Sequence, residues 1–331
     1  VAAGDVDRDG DMDLFVGERY HAFHYGLPVT GHLLINEQGK LNAIEQSEFS
    51  TLNMVTDAVW TDVNDDQWLD LIVVGEWQNI TLFINDKGIL RNKTNDYGLQ
   101  NTRGLWNTVV TGDFDGDGDT DLMAGNHGLN SFFKRGTRMY VHDFDQNGSV
   151  EQIVCHQIDG KYYPVADRNE LVAQLPALKK KFLHFKDFSG ATIHEMFDQS
   201  VLENALVYDT DLMETSLFIN NGNSFDIKPL PSEAQYSPNY AIETGDFNHD
   251  GKMDFFLGGN QYLVKPQFGR FDANHGWILL QGGKPGADWK VKSLGIVGQI
   301  RSLLSLKQDE KDLIIVGCNN APARIYEFYE N

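Results

Sequence analysis

The chain has 331 residues, of which 41 % are hydrophobic and 11 % aromatic, so it can bury a large core. Its 48 acidic and 27 basic residues give a formal net charge of −21. That charge disfavours nucleic acids and anionic membranes as partners, because both bind basic surfaces. No apolar run approaches the ~18 residues of a membrane span. The two cysteines, Cys155 and Cys318, are predicted to be buried free thiols or, alternatively, one disulfide.

A nine-residue acidic pattern opens the chain and recurs four times. We number the copies loop 1 (5–13, DVDRDGDMD), loop 2 (62–70, DVNDDQWLD), loop 3 (113–121, DFDGDGDTD), loop 4 (143–151, DFDQNGSVE) and loop 5 (246–254, DFNHDGKMD). Asp opens each copy, Asp or Asn fills positions three and five, and a carboxylate closes position nine. Gly at position six permits a sharp bend in every copy except loop 2, which has Gln67.

Short apolar runs flank these loops. Most loops are followed by a run that ends in glycine, such as LIVVG or LMAG, and then by a polar turn such as HLLINEQGKL, TLFINDKGIL or SLFINNGNSF. This pattern predicts antiparallel strands of about five residues. Repeats of roughly 50–60 residues with such strands predict an all-β fold, a β-propeller of six or seven blades. Each acidic loop would join the first and second strands of its blade.

Uneven loop spacing predicts an abbreviated third blade and an insertion in the fourth. A sixth copy at 302–317 keeps the strands and lacks the acidic residues. We expect 1–331 to form a single propeller domain and, because the chain opens inside a repeat, to be part of a longer protein.

Residues 167–206 break the β pattern and predict a helical insertion in the fourth blade. Asp167 and Glu170 suit a capping box. Apolar residues follow at helical spacing, and Pro176 is expected to divide that run into two short helices. The stretch ATIHEMFDQSVLENAL predicts a further helix. We expect the insertion to pack on the propeller; alternatively, it is a docking surface that includes the basic cluster at 179–181.

Alternate carboxylates in one loop repel one another by roughly 1 kcal/mol per pair even in water. The loops are therefore either solvated acidic turns or cation sites. Calcium fits best, because it takes six to eight oxygen ligands, whereas magnesium demands strict octahedral geometry and zinc favours His and Cys. We predict up to five Ca²⁺ ions, one in each loop.

The predicted ligands are the side chains at positions one, three, five and nine and the carbonyl at position seven. They are Asp5, Asp7, Asp9, Asp11 and Asp13 in loop 1; Asp62, Asn64, Asp66, Trp68 and Asp70 in loop 2; Asp113, Asp115, Asp117, Asp119 and Asp121 in loop 3; Asp143, Asp145, Asn147, Ser149 and Glu151 in loop 4; and Asp246, Asn248, Asp250, Lys252 and Asp254 in loop 5.

The stretches GDFDGDGDTDLMAG and GDFNHDGKMDFFLGG resemble FG-GAP and VCBS-type repeats, the calcium-loop blades of integrin α-chain propellers and of many bacterial surface proteins. The segment YYPVADRNELVAQLPALKKKF is similar to one in large surface-anchored repeat proteins related to the ASPIC/UnbV group. The resemblance implies a propeller, calcium at positions one, three, five, seven and nine, and an extracellular or cell-surface location, on the outer surface of a bacterium. The literal Phe-Gly and Gly-Ala-Pro words are absent, so an integrin-like role is not implied.

In a propeller, the connections between second and third strands lie on the face opposite the acidic loops. Here they are rich in aromatic, amide and charged residues, which suits recognition of a sugar or a peptide, although ordinary loop composition is the alternative. The candidate ligand-binding residues are Tyr20, His21, Glu76, Trp77, Asn126, His127, Tyr262, Phe268 and Asn319. Trp77 and Tyr262 are expected to act as stacking platforms.

The first functional hypothesis is a non-enzymatic calcium-binding propeller of an exported or cell-surface protein, which mediates adhesion or binds a glycan or protein. Other domains of a larger parent protein are further expected partners. A calcium-dependent polysaccharide-cleaving enzyme is the runner-up, and a structural spacer is the third hypothesis. An enzyme could draw on Arg19, Tyr20, His21, His24, His127 and Lys265 for its base and anion-stabilising group, but no spacing selects among them.

Overall fold

The computed structural model describes residues 1–283, 288–308 and 311–328 and consists mainly of antiparallel sheets. Sheet 1 contains β1 (Ala2–Gly4), β2 (Asp13–Gly17), β3 (Gly31–Glu37) and β4 (Lys40–Ile44), paired in chain order. Sheet 2 contains β5 (Met54–Thr61), β6 (Asp70–Gln78), β7 (Thr81–Asp86) and β8 (Ile89–Asn92), with the short β9 (Gly104–Leu105) beside β6. Each polar turn therefore joins the third and fourth strands, as the repeat pattern predicts.

Sheet 3 is interrupted by a long insertion. It begins with β10 (Thr108–Gly112) and β11 (Asp121–Gly125). The chain then builds a separate sheet from β12 (Arg138–His142), β13 (Glu151–Ile158), β14 (Lys161–Pro164) and β15 (Leu206–Asp209), in the order β14-β13-β12-β15. It returns to sheet 3 with β16 (Ser216–Asn220) and β17 (Phe225–Pro229), and β16 pairs with β11.

The predicted arrangement of the third and fourth blades is therefore wrong. The third sheet is not abbreviated, because its outer strands follow at 216–229. The sheet that carries loop 4, which we call the inserted sheet, lies within the connection between the second and third strands of sheet 3. The polar turn SLFINNGNSF belongs to sheet 3 for the same reason.

Sheet 4 contains β18 (Asn239–Gly245), β19 (Asp254–Gly259), β20 (Trp277–Gln281) and β21 (Trp289–Ser293), and sheet 5 contains β22 (Ile300–Gln308), β23 (Lys311–Cys318) and β24 (Arg324–Phe328). The first strands contact one another in series: β1 with β5, β5 with β10, β10 with β18, and β18 with β22. This succession is consistent with a β-propeller. Among the described residues five sheets form the series and no sheet closes on itself, so the predicted count of six or seven blades is not confirmed.

The core consists of apolar layers between neighbouring sheets. Phe15, Phe49 and Phe83 contact edge to face between sheets 1 and 2. Trp106 and Phe218 lie in the layer between sheets 2 and 3, and Phe114 and Phe255 pack in the layer between sheets 3 and 4. The inner strands β11, β16 and β19 are buried at every residue, which is the pattern of a strand covered on both faces.

The inserted sheet carries five short helices between β14 and β15. They are α1 (Arg168–Gln174), α2 (Leu178–Lys181), α3 (Phe185–Phe188), α4 (Ile193–Met196) and α5 (Gln199–Glu203), and three 3₁₀ helices occur elsewhere at Ser47–Thr51, Ser232–Gln235 and Pro266–Phe268. The capping box at Asp167 and Glu170 is present, and the chain leaves α1 before Pro176. The single helix expected over 191–206 is instead two, α4 and α5, because residues 197 and 198 are extended.

The apolar faces of the helices pack on the inserted sheet. Leu171, Leu175 and Phe182 form a buried cluster with Tyr140 and Ile153 of that sheet. The expected contact with the propeller is polar: Glu170 of α1 accepts the side-chain amide of Gln267 (3.0 Å) and lies 3.2 Å from Lys265, both in the connection between β19 and β20. The inserted sheet itself contacts the propeller with its other face, where buried residues of β12 meet buried residues of sheet 2: Met139 and Val141 with Met54, Trp77 and Leu105.

Both cysteines are free thiols, as the first alternative predicted, but only Cys155 is buried, whereas Cys318 is partly exposed. Burial raises the pKa of the Cys155 thiol to about 12, so it is an unreactive packing residue. None of the helices in the described ranges is both long and apolar enough to cross a membrane.

Candidate metal loops and the cleft on the opposite face

The five acidic loops share one backbone conformation, which their first residue organises. In loop 1 the Asp5 carboxylate accepts the N–H groups of Asp9 and Gly10, both at 3.1 Å. The N–H of Asp11 then donates to Oδ1 of Asp9 (2.8 Å). The last of these bonds, between positions seven and five, is present in all five loops. These short-range bonds turn the odd-numbered side chains towards the inside of the loop.

Position six takes a left-handed conformation in every loop. Gly10, Gly118, Gly148 and Gly251 have φ between 83° and 98°. Gln67 occupies the same position in loop 2 with φ 68°, a conformation that residues other than Gly rarely adopt. The Gln67 N–H nevertheless donates to Asp62 (2.6 Å), as the glycines do to the first residue of their loops. Loop 2 thus keeps the shared geometry despite its side chain.

The closing carboxylate at position nine is buried and accepts two backbone N–H groups in four of the loops. In loop 3, Asp121 accepts the N–H of Phe114 at 2.8 Å and that of Asn220, in the third strand of the sheet, at 2.8 Å. Asp13, Asp70 and Asp254 accept the corresponding pairs. The closing carboxylate therefore fixes the beginning of its loop and joins it to the third strand of its sheet.

Burial of these carboxylates makes their negative charge unfavourable without a cation. Desolvation, together with the charges of neighbouring loop carboxylates, raises the pKa of Asp70 and of Asp121 to about 6. It also raises the pKa of Asp254 and of Glu151. A divalent cation would reverse this effect, because an opposite charge nearby favours the ionised carboxylate.

Positions one, three and nine converge in the loops that have acids at all three. Their carboxylate oxygens lie within 4.8 Å of one another in loop 1 (Asp5, Asp7, Asp13), loop 3 (Asp113, Asp115, Asp121) and loop 4 (Asp143, Asp145, Glu151). In loop 4, Oδ1 of Asp145 is buried and has no hydrogen-bond partner. Loops 2 and 5 have Asn64 and Asn248 at position three, whose amide oxygens are also suitable ligands. The donor sets consist of oxygen alone and fit a hard divalent cation.

A cleft of about 270 Å³ lies at the opposite ends of the sheets, where the connections between second and third strands converge. Each of sheets 1 to 4 contributes to it: Arg19 and Tyr25 from sheet 1; Glu76 and Trp77 from sheet 2; His127 and Phe133 from the segment after β11; and Tyr240, Gln261, Lys265 and Phe268 from sheet 4. The inserted sheet flanks this cleft, since Phe132 stacks on Phe268 (ring centroids 4.1 Å apart) and also contacts His156 of β13 (4.7 Å).

Charges in the cleft are paired. Arg19 donates to Oε1 of Glu76 (2.6 Å), and the other carboxylate oxygen accepts the hydroxyl of Tyr25 (2.8 Å). Lys265 lies 3.2 Å from Glu170 of α1 in the insertion. Burial lowers the pKa of His127 to about 4, so its ring is neutral at pH 7. Two polar atoms of the lining residues, Nδ1 of His127 and Nδ2 of Asn107, have no hydrogen-bond partner.

Part of the acidic repeat now has a counterpart among known families. Residues 62–124 match the family model of the FG-GAP-like repeat. The matched FG-GAP-like unit begins at the first residue of loop 2 and ends in β11, so it includes loops 2 and 3. No curated protein matches the chain. The match supports the FG-GAP repeat family; the resemblance to the ASPIC/UnbV-related group is not confirmed.

In the cleft, on the face opposite the FG-GAP-like loops, the structure brings together only some of the ligand-binding candidates. Glu76, Trp77, His127 and Phe268 line the cleft, and so do Arg19 and Lys265 from the enzyme hypothesis. Residues outside its lining are Tyr20, His21, His24, Asn126, Tyr262 and Asn319. The Tyr262 ring is instead covered by Arg270, whose guanidinium lies 3.5 Å from the ring centroid.

Two candidates have structural roles that the sequence did not reveal. Trp77, expected to be a stacking platform, is only 2 % exposed, and its indole N–H donates to the Tyr25 hydroxyl (2.9 Å). Asn126 is fully buried and accepts the N–H of Leu105 (3.1 Å). Sequence reasoning also missed Tyr25, in the connection between β2 and β3, and Asn107 and Tyr240, at the beginnings of β10 and β18, because none of the three belongs to a motif.

Proposed function

We propose that the chain is a calcium-binding β-propeller domain of an exported or cell-surface protein, and that it binds a glycan or protein ligand without catalysis. The observation that carries the calcium assignment is the convergence of positions one, three and nine in three loops, with the unpartnered oxygen of Asp145 among them. The FG-GAP-like match over loops 2 and 3 supports it. Calcium would supply the positive charge that these buried carboxylates lack.

The cleft is the proposed ligand site. Loops from four sheets converge there, and aromatic side chains such as Phe133 and Phe268 lie beside hydrogen-bonding groups, which is the usual composition of a recognition site. Both Arg19 and Lys265 already pair with carboxylates, and His127 is neutral and buried. That pairing favours binding over lyase chemistry, which needs a free base and a free anion-stabilising group.

Calorimetric titration with calcium tests the first part of the proposal. We expect saturable binding of several ions per chain, and a stoichiometry of zero or one would refute the assignment.

A glycan array and an immobilised peptide library test the second part. Phe268→Ala should abolish the binding found with the parent chain, while Phe185→Ala, which removes an exposed ring outside the cleft lining, should preserve it. Equal binding by both variants would place the ligand elsewhere. Release of unsaturated products from uronic-acid polymers, lost in Lys265→Ala, would favour the enzyme instead.

A further inference from the structure

We propose that the calcium loops of sheets 1 to 4 are coupled to one another through side-chain amides of the third strands. This inference rests on the proposed calcium binding. It concerns Asn85, Asn220 and Gln281, which no metal-ligand pattern singles out. Each belongs to one sheet and bonds to the acidic loop of the sheet before it, so we treat them as positioning residues rather than ligands.

The first link joins loops 1 and 2. The side-chain amide of Asn85 donates to the carbonyl of Val6, at position two of loop 1 (2.8 Å). The backbone N–H of the same Asn85 donates to Oδ1 of Asp70, which closes loop 2 (2.8 Å). The N–H of Val6 in turn donates to Oδ2 of Asp13, which closes loop 1 (2.9 Å). Two closing carboxylates are thus connected through one buried asparagine and one loop residue.

The same link is repeated twice. Asn220 donates from its amide to the Val63 carbonyl in loop 2 (2.9 Å) and from its backbone to Asp121 in loop 3 (2.8 Å). Gln281 donates from its amide to the Phe114 carbonyl in loop 3 (3.0 Å) and from its backbone to Asp254 in loop 5 (2.8 Å). The three links form one hydrogen-bonded series from Asp13 to Asp254.

These bonds transmit order because each linking residue is bonded on both sides. A cation that fixes Asp13 also fixes the N–H of Val6, and only two backbone torsions separate this N–H from the carbonyl of Val6, so ordering of the first restricts the range of the second. That carbonyl holds the Asn85 side chain, and Asn85 orients Asp70. A loop whose neighbour is already ordered therefore loses less conformational entropy when it binds its own ion, which makes the coupling positive.

Loop 4 provides an internal control. Its closing Glu151 accepts the N–H of Phe144 (3.1 Å), but within the described ranges no third-strand amide connects it to another loop. Asn36 of sheet 1 provides a side-chain control, because its amide donates to Met12 of its own loop (3.2 Å). Loop 4 should bind independently, and removal of the Asn36 amide should leave the coupling between loops 2 and 3 intact.

Terbium, a luminescent substitute for calcium, can report on loop 2 alone. Trp68 lies at position seven of loop 2, but its ring also lies under Arg8 of loop 1, and Trp289 lines a groove with Asn248 and Asp250 of loop 5. All terbium titrations therefore use a background in which Asp7→Ala and Asp250→Ala disable loops 1 and 5, and the luminescence that Trp68→Phe removes is assigned to loop 2. Loop 3 is disabled by Asp115→Ala with Asp117→Ala, because an Asn at either position could still ligate through its amide oxygen. We expect this change to weaken terbium binding at loop 2 at least about five-fold, the lower end of typical coupling.

The matched change in loop 4, Asp145→Ala with Asn147→Ala, should leave loop 2 unaffected. In an Asn220→Leu background, disabling loop 3 should also no longer affect loop 2, whereas in an Asn36→Leu background the five-fold loss should persist. If loop 2 binds terbium equally well with loop 3 intact or disabled, or if loop 4 affects it as much as loop 3 does, the coupling is refuted while calcium binding stands. Absence of saturable binding at loop 2 in the parent chain would refute the calcium proposal itself.

Discussion

Two substitutions at position six of the loops, Gly118→Ala in loop 3 and Gln67→Gly in loop 2, test the loop geometry because they should change the free energy of unfolding in opposite directions. A Cβ added to Gly118 meets nothing within 4 Å, so only its φ of 98° opposes a side chain. A left-handed conformation costs an L residue roughly 1–2 kcal/mol, but alanine also lowers the entropy of the unfolded chain by about 0.5–1 kcal/mol relative to glycine. Gly118→Ala should therefore destabilise the protein by about 0.5–1 kcal/mol net. Gln67→Gly removes the same strain but adds about 0.5–1 kcal/mol of chain entropy to the unfolded state. Its net effect should be stabilisation by about 0.5–1 kcal/mol.

Urea denaturation in excess chelator measures both substitutions without a contribution from metal. Gly283→Ala is the control, because Gly283 also has open space around it and lacks a left-handed φ. It should be neutral or slightly stabilising. A Gly118→Ala variant as stable as the parent, or a Gln67→Gly variant that is less stable, would show that backbone strain at position six does not govern the loop.

Three further predictions concern metal and protons. At calcium about ten times above Kd, each occupied loop adds roughly 1.4 kcal/mol to the free energy of unfolding, so a chelator should lower the melting temperature by many degrees, and an unchanged melting curve would contradict this. Asp121→Ala should destabilise more than Asp119→Ala, by about 2 kcal/mol or more in urea denaturation, because it leaves two buried N–H groups without acceptors; equal effects would contradict the assigned role of position nine. In chelator, the raised pKa of Asp121 should lower the free energy of unfolding as pH rises from about 4 to 6, whereas the lowered pKa of His127 should raise it by up to about 3 kcal/mol between pH 4 and 6.5. Melting curves measured against pH should lose the first contribution in Asp121→Asn and the second in His127→Phe. Unchanged profiles in these variants would refute the assignments.

The acidic loops and most strands could be predicted from sequence because both depend on local chemistry. Asp and Gly at fixed positions determine a nine-residue turn whatever surrounds it, and Gln67 shows that the turn survives the loss of its glycine. The order of the sheets could not be predicted in this way. Loop 4 resembles the others, although its strands form a separate sheet. One signal was available: the polar turn expected after β11 is absent until 220–222, where it completes sheet 3.

The sequence predicted the face of the propeller on which the cleft lies, but not which side chains line it. Second-to-third-strand connections do converge on one face, as the propeller pattern implies. The exposure of individual side chains depends on what covers them, and the inserted sheet buries Trp77 beside Met139 and Val141. Composition cannot distinguish a ring that faces solvent from a ring covered by a distant segment of the chain. The links through Asn85, Asn220 and Gln281 were hidden for a related reason, since their partners lie in neighbouring repeats.

The insertion has a consequence for the order in which the chain can fold during synthesis. The strand β16, which pairs with β11, is synthesised roughly 90 residues after it. Closing so long a loop costs about 2.5 kcal/mol more in chain entropy than closing an ordinary hairpin. The first and last strands of the insertion, β12 and β15, pair with each other, and the Arg138 guanidinium donates to both carboxylate oxygens of Asp209 (2.6 and 2.9 Å). We call this pair the neck of the insertion, and its formation removes most of that penalty. Once this neck has formed, β16 follows it in the chain close to β11. We therefore expect the inserted sheet to form before sheet 3 is completed.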